Sequence, residues 1–470
     1  MAQRWRPHII GEPTMDAIRP AFSDYEQILL TNLDVILDRY DRAPDYPFID
    51  TKFSTITGED FPDDGPDYKS RDVIYSWIQG RGLESLAGHA EWLPQCRLLS
   101  DEEKRERIRR IRRILAEVAE QMEAMRRRNH GRLSFCMLPD GTPLVFDDVG
   151  TLSPASMPEE SNFAELFYAK GLLAAASLLG QSQWRDTATD LLTRILNDIQ
   201  VARFIVDVPS FHPPRNILHD RRQRPEGPWM IALGALALAY EKTGQPEWLL
   251  IGERFLRHLL SMYLNRGRFR HLHPLDFIEI VDERGQPWAE QGRILSVPGH
   301  TLELVGLGVK LLATMRERGG FDETIRIARD LFPSLSVHTF ELGFNERGGG
   351  IHRSIDLVER VPIDSTMPWW ALPEAMRAAA GLLVLVPEAG EREQVIRMLA
   401  ECSNAFVSHY VNPRAHLWAY QTLDETGRPV DIIPATPDAD PGYHTGLSLI
   451  DVMENLKIWT DSGRRKSHLL

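Results

Sequence analysis

Apolar residues recur every three or four positions along most of the chain, the spacing of a helix that buries one face. Alternation of the strand type is scarce, so the pattern predicts an all-α protein. No linker rich in Gly, Ser or Pro divides the chain. The pattern predicts about twelve helices, near residues 20–41, 70–92, 100–128, 161–180, 182–202, 227–243, 246–264, 298–317, 320–341, 366–386, 389–411 and 443–461.

The predicted helices are of two alternating kinds. The helix that opens at Ser100 has a capping box with Glu103 and a single apolar stripe, so it packs through one face. The helix near 227–243 begins "GPWMIALGALALAY", is apolar all round and must be buried on every side. This alternation predicts even-numbered helices in an inner ring and odd-numbered ones around them. We therefore expect an (α/α)6 barrel, with residues 1–470 as a single domain.

Charged and imidazole side chains interrupt the apolar, even-numbered helices. Several stand near helix starts, so we expect them to converge at one end of the barrel: Arg81, Glu165, His300, Glu303, Glu374 and His444. Buried charges are costly unless they are paired or used. The residues alone leave two interpretations open, a site that faces one cavity and a structural ion-pair network in the core.

The composition and net charge of the chain exclude some classes of binding partner. The net charge is −13, whereas nucleic acid and anionic membranes both require a basic face, so we exclude them as main partners. No apolar run reaches the roughly 18 residues of a membrane-spanning helix, and we expect no signal peptide. The three cysteines are too widely spaced for a disulfide framework or a zinc motif. We expect a cytoplasmic protein.

Several sequence blocks, in order and in helical register, resemble those of one family. They are "YSWIQGRGLESL" (a W-x-Q-G-R block), "SNFAELF" (S-x-x-x-E-x-F), "GRILSVPGHTLE" (G-R-x-x-x-P-G-H-x-x-E), "ERGGGIHRSID" (a Gly-Gly turn), "MPWWALPEAM" (W-W-x-x-x-E-A) and "PGYHTGLSLID" (a Y/F-H helix). The chain thus resembles the N-acylglucosamine 2-epimerase superfamily, which includes cellobiose 2-epimerases and aldose–ketose isomerases. The similar core covers about residues 44–460.

The resemblance implies an (α/α)6 barrel and a proton transfer next to a sugar aldehyde. A base removes the C2 proton to give an enediolate; returning the proton to C2 epimerises the sugar, and returning it to C1 gives the ketose. The resemblance implies His300 and His444 as the acid–base pair, Glu303 to orient His300 or bind a hydroxyl, and Arg81 to stabilise the enediolate. It also implies sugar-binding roles for Trp369, Trp370, Glu374, Glu165, Tyr75 and Gln79.

Some positions depart from the family pattern. Many members carry a third histidine on the sixth helix, where this chain has Ile231. The arginine that usually follows the last histidine is replaced by Gly446, and additions precede residue 70 and occupy 203–226. Glu374 could equally form a salt bridge with an inner arginine. These departures leave the identity of the sugar open.

We therefore expect a sugar 2-epimerase or isomerase that acts on an aldose or an N-acyl aminosugar, with no metal and no cofactor. The family suggests a homodimer. Three alternatives remain: an aldose–ketose isomerase of the mannose/glucose-to-fructose type, an (α/α)6 glycoside hydrolase with Glu303 and Glu374 as its carboxylate pair, and an inactive sugar-binding homologue.

Two further groups of residues invite a functional interpretation. His271 and His273 have metal-like spacing, but we expect no third ligand near them and hence no metal site. The segment 203–226 is rich in basic side chains, and we expect a solvated loop there rather than a basic lid over the site; the residues concerned are His212, Arg215, His219 and Arg224.

Overall fold

The computed structural model describes residues 5–62, 67–147, 149–217, 220–386 and 390–467. These residues contain the twelve long helices that the sequence predicts: α1 (Phe22–Arg42), α2 (Ser76–Trp92), α3 (Asp101–Arg128), α4 (Phe163–Leu179), α5 (Ser182–Gln200), α6 (Gly227–Thr243), α7 (Glu247–Met262), α8 (Pro298–Arg318), α9 (Asp322–Gly343), α10 (Ala371–Leu385), α11 (Arg392–Ala405) and α12 (Thr445–Ser467). The helix predicted over 389–411 differs: residue 389 lies outside the described residues, and α11 continues as a π-helical turn, Phe406–Tyr410. Within the described ranges, no helix is both long and apolar enough to cross a membrane.

Helix α3 shows why the outer helices form. The backbone N–H of Ser100 donates to Glu103 Oε2 at 2.8 Å, and the backbone N–H of Glu103 donates to Ser100 Oγ at 3.3 Å. This capping box satisfies N–H groups that the helix start leaves free. The apolar stripe from Ile111 to Met125 is buried, while arginines on the other side pair with aspartates of α1. One face therefore packs inward and the rest stays charged.

The even-numbered helices form a closed ring. α2 packs against α4, α4 against α6, α6 against α8, α8 against α10 and α10 against α12, which returns to α2. Each odd-numbered helix packs against at least one even-numbered neighbour. The predicted (α/α)6 barrel is confirmed.

Two glycines allow α2 and α4 to pack at backbone distance. A Cβ on Gly80 would lie 2.5 Å from the carbonyl carbon of Phe167, and a Cβ on Gly171 would overlap the carbonyl oxygen of Gly80. Glycine is therefore required at this crossing. The close approach brings Arg81, the residue after Gly80, against the ring of Phe167.

Short strands occupy the loops. One antiparallel four-stranded sheet contains Ile74–Tyr75, Cys136–Met137, Pro143–Phe146 and Leu152–Pro154, and a second contains Ala289–Glu290, Arg293–Ser296, Ser354–Asp356 and Val361–Asp364. The two-stranded pairs are Ser161–Asn162 with Phe204–Ile205 (parallel), Ser210–Phe211 with Pro214–Arg215, Arg224–Pro225 with Ile280–Val281, Phe344–Asn345 with Gly350–Ile351, Met367–Pro368 with Thr422–Leu423, and Val411–Asn412 with Trp418–Ala419. Strands precede α2, α4, α6, α8 and α10, so the sheets lie where the inner helices begin. The sequence did not predict them, because such short strands carry no readable alternation.

The residues before α1 bind α11 and the turn after it. Trp5 Nε1 donates to the carbonyl of Val407 at 3.2 Å. The side-chain amide of Asn404 exchanges two hydrogen bonds with the backbone of Ile10, at 2.8 and 2.9 Å. A short helix, Met15–Ile18, and a 3-10 turn, Arg19–Ala21, then lead into α1. This N-terminal arm, residues 5–14, is thus fastened to α11 and the turn after it.

Candidate active site

Five of the predicted site residues meet where the inner helices begin. They come from α2, α8, α10 and the residue before α12: Arg81, His300, Glu303, Glu374 and His444. Atoms of Glu303, Glu374 and His444 lie within 4.8 Å of one another, and the charge of Arg81 acts on the first two. Helices far apart in the sequence therefore contribute to one cluster, which we call the histidine cluster.

His444 is fixed by an aspartate and a glutamate. Asp440 accepts hydrogen bonds from the backbone N–H groups of Tyr443, His444 and Thr445 at 2.8 to 3.3 Å, which caps the start of α12. The imidazole Nδ1 bonds Glu374 Oε1 at 2.9 Å. Assigning the proton to Nδ1 leaves the Nε2 lone pair free.

The surroundings of His444 keep it neutral. Burial lowers the pKa of this imidazole well below its usual range, and the nearby guanidinium of Arg81 lowers it further. Glu374 also accepts a hydrogen bond at 2.7 Å from Arg377, which itself binds Asp451 at 3.0 Å. Glu374 therefore forms the salt bridge considered as an alternative and also holds the histidine.

His300 has the opposite electrostatic environment. Its Nδ1 bonds Glu279 Oε1 at 2.9 Å and lies 3.6 Å from Glu226 Oε1. The side chain keeps 32% of its surface exposed. Its partial burial would lower the pKa of His300, but the neighbouring carboxyl groups, above all Glu279, outweigh that effect and raise the pKa to about 9. At neutral pH this imidazole is therefore a cation, with a proton on each ring nitrogen.

Trp370 joins the two histidines. Its ring stacks on His300 with centroids 5.1 Å apart and planes 24° apart, and it lies 5.7 Å from the ring of His444. Trp369 contacts His444 edge-on at 6.1 Å and is buried. Trp370, which is half-buried, is thus the tryptophan that borders both imidazoles.

Arg81 lies in a box of aromatic rings. Its guanidinium carbon is 4.2 Å from the ring centroids of Trp77 and Phe167 and 4.9 Å from that of Tyr443. Burial lowers the pKa of Arg81 to about 10, so it remains a cation at neutral pH. Among the described residues its Nε has no hydrogen-bond partner. A cation held by ring faces keeps its N–H donors for another group.

Glu303 is also held without a full set of partners. One turn of α8 separates it from His300, as the sequence predicts. Its side chain is buried, and its Oε1 has no hydrogen-bond partner within the described part of the chain. Burial, together with the charge of Glu374, raises the pKa of Glu303. The carboxyl is therefore suited to bind a hydroxyl group.

Three predicted sugar-binding residues have partners outside the histidine cluster. Glu165 is ion-paired with Arg132 at 2.8 Å and Arg194 at 2.9 Å. The side chain of Gln79 exchanges two hydrogen bonds with the backbone of Ile49, at 2.8 and 2.9 Å. The hydroxyl of Tyr75 donates to the carbonyl of Tyr68 at 2.7 Å. Within the described ranges, none of the three has a hydrogen bond or an ion pair with His300 or His444.

Three groups of described residues have the spacing of metal ligands, with atoms within 4.8 Å of one another: Glu303, Glu374 and His444; Glu226, Glu279 and His300; and His273, Asp276 and His338. The premise that no third ligand lies near His273 is wrong, because α9 brings His338 onto it, with the rings stacked 4.1 Å apart. Asp276, however, already binds His338 at 2.9 Å and Arg360 at 2.7 Å. Imidazoles or arginines balance the carboxylates in each group, so we assign no metal.

The segment 203–226 ends on Glu226 beside His300, but its basic residues do not join the cluster. His212 and Arg215 are exposed, Arg224 is half-buried, and His219 lies outside the described residues. A cavity of about 410 Å³ beneath the segment is lined by Asp207, Trp229 and others, and no residue of the histidine cluster lines it. The basic side chains therefore do not form a lid over the histidines.

Sequence reasoning missed Glu226 and Glu279. Glu226 directly precedes an inner helix, so the rule that site residues stand at inner-helix starts could have found it. Glu279 lies next to a two-residue strand and carries no such signal. Only the fold brings both carboxyls to His300.

Solved structures share this fold. The cellobiose 2-epimerase from Spirochaeta thermophila DSM 6192 superposes with a TM-score of 0.65 at 13% identity, covering 94% of this chain and 98% of that one. A sugar epimerase from a ruminal bacterium gives 0.63 at 12%, covering 92% and 98%. A D-mannose isomerase gives 0.58 at 15%, covering 90% and 97%. Identities this low establish the fold alone.

The family follows from the sequence comparison. A search of curated proteins finds no match. The profile of the family described as N-acylglucosamine 2-epimerase (GlcNAc 2-epimerase) matches residues 157–445, more than half of the chain. The resemblance noted in the sequence is confirmed: the chain belongs to the N-acylglucosamine 2-epimerase family, a family of isomerases.

Proposed function

We propose that the protein is a sugar 2-epimerase acting on an aldose or an N-acyl aminosugar, and that two histidines move a proton at C2 through an enediolate. One observation carries this proposal: Trp370 borders two imidazoles, of which His300 is held as a cation and His444 is held neutral. Epimerisation needs a base on one face of the sugar and an acid on the other. The pair supplies one of each before any substrate binds.

In this mechanism His444 is the base and His300 the acid. Glu374 accepts the hydrogen bond from Nδ1 of His444, which leaves Nε2 to take the C2 proton. Glu279 bonds Nδ1 of His300, which leaves its Nε2 proton to be returned to carbon. After one turnover the charges of the histidines are exchanged, and exchange with water restores them.

Arg81 and Glu303 stabilise and orient the substrate. We assign the guanidinium of Arg81 to stabilise the oxygen that becomes negative in the enediolate. Because aromatic rings hold this guanidinium, no ion pair with a carboxylate has to break first. Glu303 accepts or donates a hydrogen bond at a sugar hydroxyl. Arg81 thus contributes a positive charge, and Glu303 contributes a hydrogen bond.

The two non-isomerase alternatives fit the geometry less well. An inverting glycosidase separates its carboxylates by about 6.5–9.5 Å to admit a water. Here oxygens of Glu303 and Glu374 lie within 4.8 Å, and Glu374 already binds His444 and Arg377. A location of His300 or His444 remote from the cavity would favour an inactive binding homologue, whereas both contact Trp370.

An aldose–ketose isomerase is the second candidate, because the same histidines serve both reactions. The fold likeness to a D-mannose isomerase and to cellobiose 2-epimerases supports each equally. Incubating the protein with a panel of aldoses, disaccharides and N-acyl aminosugars, read by NMR, separates the two. A C2-inverted aldose supports the epimerase, and a ketose supports the isomerase.

Two substitutions test the histidine pair. His300→Ala and His444→Ala should each abolish turnover of the substrate found in the panel while leaving the helical circular dichroism intact. His271→Ala, which changes an exposed histidine outside the cluster, is the control. Substantial activity in either cluster variant would refute the two-histidine assignment.

Solvent deuterium tests the proton path. In D₂O the product should gain deuterium, at C2 for an epimerase and at C1 for an isomerase, because a proton held on an imidazole exchanges with water. If neither carbon is labelled, a C2-deuterated substrate in ordinary water shows whether the hydrogen that is removed is the one that is returned. Complete retention of that label would leave both histidines without their proposed role.

We also propose that residues 1–470 form one domain, that the enzyme works in the cytoplasm, and that it is a homodimer. The ring of contacts from α2 through α12 supports a single domain. The cytoplasmic location rests on the composition of the sequence, and the homodimer rests on the family resemblance. Light scattering after size-exclusion chromatography tests the dimer, and limited proteolysis tests the domain.

A further inference from the structure

Glu226 is a buried carboxyl group without a hydrogen-bond partner. It directly precedes α6, its side chain is 0% exposed, and neither carboxylate oxygen has a partner among the described residues. Its Oε1 lies 3.6 Å from Nδ1 of His300. A buried polar group of this kind is costly unless it is neutral or serves a neighbour.

A second carboxyl group stands beside it. Glu279 immediately precedes the strand Ile280–Val281, which pairs with Arg224–Pro225, and the backbone N–H of Glu226 donates to the carbonyl of Glu279 at 3.0 Å. The register of this two-stranded sheet therefore fixes both glutamates. Oxygens of the two, with the nitrogen of His300, lie within 4.8 Å of one another.

A buried carboxyl group is harder to ionise when a second carboxylate lies this close. Burial raises the pKa of Glu226 well above its usual range, and the charge of Glu279 raises it further. Glu279 makes the direct 2.9 Å hydrogen bond to the imidazole, so the remaining negative charge is best placed there. One proton on Glu226, one charge on Glu279 and one proton on each imidazole nitrogen of His300 give a neutral group.

We propose that Glu226 and Glu279 are positioning residues that form an acid–carboxylate pair behind His300, with the proton on Glu226 and the charge on Glu279, and so hold His300 as an imidazolium. This inference rests on the proposed function for the role of that imidazolium. The charge arrangement itself follows from the three side chains and can be tested without turnover.

Other groups around His300 act more weakly. Glu303 from α8 adds negative charge without a hydrogen bond to the imidazole. The hydroxyl of Tyr263, from the end of α7, is bonded to the carbonyl of Pro225, and Arg224 donates to the carbonyls of Arg221 and Gln223. From α10, Trp370 presents an uncharged ring. Glu279 is therefore the group whose removal should change the imidazole most.

The titration of His300 by NMR, assigned by its loss in His300→Gln, tests the charge on Glu279. We expect His300 in the unaltered protein to stay protonated well above the usual histidine range. Glu279→Gln should lower its proton affinity at least about tenfold, Glu279→Asp should restore part of it, and Glu290→Gln, at an exposed glutamate, should leave it unchanged. Titration of His300 at an ordinary histidine value in the unaltered protein, or no change in Glu279→Gln, overturns the proposal.

Infrared difference spectra test the proton on Glu226. One component of the carbonyl band of protonated carboxylic acids, present at neutral pH, should be missing from Glu226→Gln, with circular dichroism confirming that the variant folds. Persistence of the full band in that variant places the proton elsewhere and overturns the assignment. Neither readout needs activity: if His300→Ala remains active while both spectroscopic results hold, the proposed function fails and the acid pair stands.

Discussion

Gly299 lies directly against the six-membered ring of Trp370, so close that a Cβ on residue 299 would come within 2.6 Å of Cη2 and Cζ3. The missing side chain lets the indole lie beside both imidazoles. The indole of Trp370 can thus take this position only because the middle residue of the motif "PGH" is glycine.

Gly299→Ala should therefore displace Trp370. We expect a loss of about 1–3 kcal/mol in the free energy of unfolding from overpacking, and a fall in kcat/KM because Trp370 no longer borders both histidines. Thermal unfolding and steady-state kinetics measure the two effects. Gly11→Ala, where a Cβ would meet nothing within 4 Å, is the control. Unchanged kinetics in Gly299→Ala would show that the position of Trp370 is unimportant.

Arg81 and Arg377 are both buried arginines, but they have different partners. Arg377 binds Glu374 and Asp451, whereas Arg81 rests on aromatic rings. Arg81→Met should lower kcat by about 10²–10³, as loss of an oxyanion donor does, with no loss of stability. Arg377→Met should cost about 3–5 kcal/mol, because it leaves buried carboxylates unpaired. Chemical denaturation and kinetics separate these outcomes; strong destabilisation by Arg81→Met would contradict the role given to Arg81.

The charge of His300 predicts the alkaline side of the pH profile. The pKa of this histidine is raised to about 9, so the imidazolium is present below that value and is lost as pH rises through it. We expect kcat/KM to fall on the alkaline side with a midpoint near the same pH. Stopped assays in overlapping buffers measure this limb. Activity that stays constant well above pH 9 would mean that His300 does not donate the proton.

Chelation tests the expectation that no metal takes part. The proposed steps use imidazoles and a guanidinium, so prolonged EDTA treatment should leave kcat/KM unchanged. If activity falls and Zn²⁺ or Mn²⁺ restores it, His338→Ala identifies the responsible group, because this substitution disrupts the cluster with His273 and Asp276 and leaves the histidine cluster intact.

The helices and the ring could be predicted from the sequence because the spacing of apolar residues shows which faces of a helix are buried. An inner helix such as α6 is apolar on every face, and only a surrounding ring of amphipathic helices can cover it. For the same reason Arg81 and Glu303, polar residues on such helices, were expected at one end of the barrel, and their charges act on each other there. The position of a residue on an inner helix is readable from periodicity alone.

The partners of each side chain were not readable. Glu165 also stands at an inner-helix start, yet Arg132 and Arg194 from neighbouring segments neutralise it. Glu279 reaches His300 only because a two-residue strand pairs with another far from it in sequence. Contacts made by loops depend on register and chain crossing, which leave no periodic pattern.

The N-terminal arm bears on how the protein is made. Ile10 bonds Asn404, a residue 394 positions away, and α12 must pack on α2 before the ring exists. During synthesis from the amino end, the first helices emerge with no partner for their inner faces. Contacts of such high sequence separation slow folding, so the emerging chain must keep large apolar surfaces from aggregating until α12 leaves the ribosome.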